Sequence, residues 1–139
     1  MSQAFYETVQ REQERDEAGM NQEYKALWLT ALRSGRYEQE QGRLREGSKF
    51  CCLGVCEDVM MPFTHNRWDG NELITEDDRL SHPGHLSQIA ISMLGVDANA
   101  SIPELTDKKG WTVELTHLND AAVEPLTFAQ IADVIEYFY

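Results

Sequence analysis

Cys51, Cys52 and Cys56 are the residues of this 139-residue chain whose type could do covalent chemistry. The thiolate is the reactive form, and a helix start favours it, because unpaired backbone N–H groups and the positive end of the helix dipole stabilise an anion. Ser48 offers an N-cap for a helix from about Lys49 to Met60, which puts Cys51 and Cys52 in the first turn. His117, Asn119 and Asp120 then follow in the cysteine, histidine, Asn or Asp order of cysteine hydrolases. Cys52, His117 and Asn119 are therefore a candidate catalytic set. Against it stand the apolar neighbours Phe50, Leu53 and Val55, which suggest small buried thiols instead.

Metal binding is a weaker use of the same residues. Structural zinc sites take cysteine pairs spaced by two to four residues and a second pair elsewhere, whereas adjacent cysteines on a helix point about 100° apart. His65 could complete a set with Cys52 and Cys56, but that spacing does not match a zinc pattern, and no metal or cofactor is expected. The Asp69-Gly70-Asn71 stretch lacks the oxygen spacing of a calcium loop and reads as a solvent turn.

A second chemistry is anion capture. Lys25, Arg33, Arg36, Arg43, Arg45 and Lys49 are six of the twelve Lys and Arg, so residues 25–49 carry +3 while the rest of the chain carries −15. Guanidinium groups pair with phosphates in a bidentate manner, and glycines such as Gly42 and Gly47 let backbone N–H groups approach closely. Arg36, Arg43, Arg45 and Lys49 are the candidate ligand-binding residues, for a phosphorylated small molecule. The alternative is that they are solvated, or paired with Glu38, Glu40 and Glu46.

The net charge of −12 argues against direct nucleic-acid binding, whose affinity comes largely from replacing counterions with Lys and Arg. The same charge suits solubility, or a basic surface on another protein. There is no run of eighteen apolar residues and no leader-like start in the first thirty, so no membrane association is expected. Three cysteines, two of them adjacent, fit a reducing compartment, so a cytoplasmic setting is expected. Homo-oligomers are compatible with the sequence.

These residues are positioned by a helix-dominated α+β fold, with about four helices and a few short strands. Residues 1–21 read as a polar extension, with Phe5 and Val9 as a candidate short helix face, and 22–139 as one compact domain. Asn21 and Gly35 bracket a helix over 22–33 whose stripe is Tyr24, Leu27, Trp28, Ala31 and Leu32. Residues 37–49 read as extended pieces around a turn, Pro62 as the end of the cysteine helix, and 63–81 as a hairpin or long loop. Pro83 opens a helix that stops at Gly95, residues 96–110 are loop, and 111–115 form a strand. Thr127 and Gln130 make a capping box for a closing helix that buries Phe128, Ile131, Ala132, Ile135 and Phe138. Its acidic character and the three residues after Glu136 leave no recognition helix for a helix-turn-helix.

The stretch WLTALRSGRYEQEQGRLREGSKFCCLGVCEDVM, followed later by Leu118-Asn119-Asp120 and the helix from Thr127 to Glu136, resembles a set of small proteins of tailed bacteriophages and prophages. The likeness covers about 25–61 and 86–138. Residues 1–21 lie outside its pattern, and Cys56-Glu57-Asp58 stands where the pattern has Leu-Cys-Asp. The resemblance implies phage or prophage origin and a compact fold, and supplies no reaction. The expectation is a non-enzymatic accessory protein that binds a host component, inhibiting host antiviral defence either by capturing a phosphorylated small molecule or by blocking a basic surface on a host protein. The alternatives are the cysteine-dependent hydrolase and a virion or assembly component.

Overall fold

Asn21 opens the first helix, α1 (Gln22–Arg33), in the computed structural model, which describes residues 20–106, 112–120 and 125–139. Its side chain accepts hydrogen bonds from the N–H groups of Glu23 and Tyr24, two of the donors that a helix start leaves unpaired. Trp28, Ala31 and Leu32 are buried, while Leu27 is 40% exposed, so the inward stripe is narrower than the sequence suggested. Met20 is buried and the Asn21 N–H donates to the Leu94 carbonyl at 2.7 Å. The body therefore takes in Met20 and Asn21, which the sequence reading assigned to the extension. The candidate helix around Phe5 and Val9 lies outside the described residues.

Three two-residue strands follow, β1 (Glu38–Gln39), β2 (Arg45–Glu46) and β3 (Lys49–Phe50), with β3 in the middle, parallel to β1 and antiparallel to β2. This corrects the expected helix over 49–60. Pairing on both sides of β3 satisfies its backbone groups in a way that Ser48, as a cap, could not anticipate. The helix α2 spans Cys52–Thr64, and its N-cap is Cys51, whose sulfur accepts from the Gly54 N–H. Nor does Pro62 end it. Proline removes only its own N–H, and the His65 N–H still reaches the Met61 carbonyl before the backbone turns left-handed at His65, φ 61°.

β4 (Arg67–Asp69) and β5 (Glu72–Ile74) form the expected hairpin around Gly70. α3 (Gln88–Leu94) starts at the Ser87 cap rather than at Pro83, because the intervening backbone is committed elsewhere: the Pro83 carbonyl accepts from Leu44 N–H and the Leu86 N–H donates to Ala98. Part of the expected 96–110 loop is β6 (Ser101–Thr106), antiparallel to β7 (Thr112–Glu114). α4 (Leu115–Asp120) takes up the HLND segment, and α5 (Phe128–Phe138) opens on the Thr127–Gln130 capping box. Among the described residues there are five helices with short strands between them, an α+β domain dominated by helix. No described helix is long and apolar enough to cross a membrane.

α2 is the centre of the core and packs against α1, α3 and α4, while α1 also lies along α5. Residues 52–57 are buried without interruption. Such burial requires a close approach at the helix start, where the Leu44 carbonyl accepts from the Cys51 N–H and a Cβ on Gly54 would sit 1.8 Å from the same oxygen. Gly54→Ala is accordingly expected to destabilise the domain by about 3 kcal/mol, the upper part of the range for overpacking, since backbone rather than a flexible side chain must move. Thermal unfolding would show a fall of roughly 10 °C. A variant melting within a degree or two of the parent would mean the Leu44 segment yields freely.

Candidate functional site

The three thiols are buried: Cys51 is 4% exposed, and Cys52 and Cys56 are closed to solvent. Burial pushes the Cys51 thiol up to about 11, against the weaker opposing effect of the N–H groups at the helix start, and drives Cys52 and Cys56 well above their ordinary value. Cys52 donates to the Leu115 carbonyl at 3.8 Å. Asn119 is fully buried. Its Oδ1 accepts from the Cys52 N–H at 3.2 Å and from Gln39 Nε2 at 2.9 Å, and its Nδ2 donates to the Glu40 carbonyl and Asp120 Oδ1. The backbone of His117 lies in α4, and its side chain lies outside the described residues. Asn119 thus ties α4 to β1 and to the start of α2.

The basic residues are divided. Arg45 lies opposite Phe50 in the β2–β3 register and so shares its face, where the guanidinium lies 5.4 Å from the Phe50 ring and 5.5 Å from the Trp68 ring. Its Nε donates to the Gly47 carbonyl. Lys49, opposite Glu46, points to the other face, and Arg43 pairs with Glu46 at 3.3 Å. Arg36 is exposed, and its side chain has no hydrogen-bond or ion-pair partner among the described residues. Upstream, Arg33 binds Asp133 and Glu136 on α5, and Lys25 reaches the Glu136 carbonyl, so both fasten α1 to α5. Arg45 and Lys49 therefore lie on opposite faces of the β2–β3 pair.

A concave site does exist elsewhere, and the sequence reading missed it. A cleft of about 680 Å³ lies between the end of α2, the segment from Thr75 to His82 and α3, within the size range of small-ligand sites. Thr64 and Asn66 form part of its wall, Glu76, Asp77 and Arg79 its charged lining, and Leu80, Leu86 and Ile89 its apolar part. His82 and His85, with ring centres 3.8 Å apart and planes 11° apart, stack along it. Behind the wall lies Glu57, wholly buried. Its carboxylate accepts from the Ser87 N–H at 2.6 Å, the Ser87 hydroxyl at 3.1 Å and Asn66 Nδ2 at 3.5 Å. Asn66 Nδ2 also donates to the Ser87 hydroxyl, which turns the amide donors inward, and Asn66 Oδ1 is enclosed with no hydrogen-bond partner among the described residues.

One signal for this network was present. Leu53, Glu57, Met60 and Thr64 recur at helical spacing, so a carboxylate stands on the inward stripe of an otherwise apolar helix. No comparable signal marks Asn66. Among the described residues no group of three or more His, Cys, Asp or Glu could hold a metal ion.

The model of the DUF8296 family, described as a domain of unknown function, matches residues 20–138. The chain belongs to this family. The match starts at Met20, the first residue of the described body, and spans every element from α1 to α5. No curated protein and no solved structure matches the chain.

In this DUF8296 domain burial raises the Glu57 pKa above its ordinary 4.5, only partly offset by the hydrogen bonds from Ser87 and Asn66. The folded state therefore holds its proton to higher pH than the unfolded state does. The associated stability is complete below about 4.5 and is lost as pH rises through the folded value. Glu57→Gln should remove this contribution, so the difference in urea midpoint between variant and parent should move in the variant's favour as pH rises from 4.5 to 8. A difference independent of pH would show that Glu57 titrates alike in both states.

Proposed function

We propose that this protein is a non-enzymatic accessory protein of phage or prophage origin that binds a component of the host cell, a role suited to inhibiting host defence, and that the cleft beside α3 is where it binds. The cleft carries the reading. It combines a volume of small-ligand size, exposed apolar side chains at Leu80 and Ile89, and a polar wall that includes Asn66, whose Oδ1 has no hydrogen-bond partner among the described residues. The phage origin rests on the sequence resemblance, and a cytoplasmic setting on the three free thiols.

Of the two binding mechanisms, masking a basic surface has more support than phosphate capture. Phosphate recognition needs convergent donors, whereas Arg45 and Lys49 lie on opposite faces of the β2–β3 pair and Arg43 is paired with Glu46. The net charge of −12 and the exposed Glu76 at the cleft favour a positively charged partner.

Affinity capture from host lysate, run with the parent, Ile89→Trp and a combined Arg36→Ala, Arg43→Ala, Arg45→Ala variant, checks this. Ile89→Trp fills the cleft from an exposed position and should abolish retention of the host component, while the arginine variant should keep it. Retention by Ile89→Trp together with loss in the arginine variant would transfer the function to the basic arm.

A further inference from the structure

We propose that the cleft takes an organic cation, an ammonium or guanidinium group carried on an apolar stem; this rests on the cleft being the binding site. Three charged side chains line it besides the two histidines, and two of them cancel, since Arg79 Nε pairs with Asp77 at 3.2 Å. The neighbouring Arg67 is held by Asp78 at 2.9 Å. Glu76 remains, exposed and with no hydrogen-bond or ion-pair partner among the described residues. Behind the wall the Glu57 carboxyl is held by Ser87 and Asn66, with no Lys or Arg bonded to it among the described residues.

Donor and acceptor chemistry points the same way. Asn66 Oδ1, an enclosed acceptor, has no hydrogen-bond partner among the described residues. A carboxylate or phosphate would bring a like charge to Glu76, whereas an ammonium or guanidinium group brings the opposite charge. Glu76 is open to solvent. The stem is indicated by Leu80 and Ile89, 63% and 42% exposed, which line the cleft with Leu86 and Ala98. Covering them removes apolar surface from water.

The test uses the full chain and three probes with one stem and different heads: hexylammonium, hexanol and hexanoate, followed by amide chemical shifts and titration calorimetry. Hexylammonium should shift the signals of Asn66, Gln88 and Ile89 and bind about tenfold more tightly than hexanoate, the scale of one charge-assisted hydrogen bond. Glu76→Gln, a change at an exposed position, should shrink that preference to about threefold or less. A lysine residue within a short uncharged peptide, compared with hexylammonium, separates the sources: tighter binding of the peptide points to a protein side chain, tighter binding of the amine to a free metabolite. Equal or tighter binding of hexanoate at the same residues overturns the cationic assignment and leaves the cleft as the binding site. Failure of all three heads to perturb the cleft overturns both.

Discussion

The polar groups of a helix whose first six residues are all buried have to be satisfied by the protein itself, and α2 imposes that constraint on the rest of this fold. At its start, the Asn119 amide accepts from the Cys52 N–H, and Leu44 brings its carbonyl against Gly54. On its flank, Trp28 of α1 donates its indole N–H to the Cys52 carbonyl at 2.9 Å. One turn further on, the carboxylate of Glu57 has no route to water and is met by Ser87 and Asn66. An unpaired buried group of this kind costs about 1–3 kcal/mol or more if charged, comparable with a good part of a domain's net stability. The positions of α1, α3, α4 and the hairpin follow from meeting those demands.

The same constraint relocates the chemistry. Cysteines at a helix start announce a nucleophile, yet here the helix start is sealed and desolvation outweighs the helix dipole. The cleft, by contrast, exists because Ser87 serves two masters: it caps α3 through its hydroxyl and holds Glu57 through its N–H and hydroxyl. That double duty fixes α3 against the end of α2 and leaves a recess between α3 and the 75–82 segment. Asn66, following the left-handed turn at His65, is carried to the wall of that recess.

How much of this could be read from the chain depended on how local the cause was. The bounds of α1 and the start of α5 were legible to the residue, because Asn21 and the Thr127–Gln130 box act on backbone groups two or three positions away and the apolar stripes are helical in spacing, whereas Phe138, expected in the core, is only partly buried. The start of α2 was misplaced because β1 and β2, which begin eleven and four residues upstream of β3, compete for Lys49 and Phe50, and Ser48 carries no trace of that pairing. α4 was missed because six residues are too few for a stripe. The cleft was invisible as a pattern, since its lining comes from residues 64–66, 75–82 and 85–98, and only Glu57 on an apolar stripe hinted that something polar lay beneath.

Amide hydrogen exchange with and without the host component captured by the protein tests most directly whether the recess backed by Glu57, Ser87 and Asn66 is the working surface. Slowed exchange confined to 75–82 and to the Ser87–Ile91 turn, with 36–49 unchanged, is the result this account requires. Protection centred on Arg36 to Lys49, with the cleft segments unaffected, would contradict it and return the function to the basic arm.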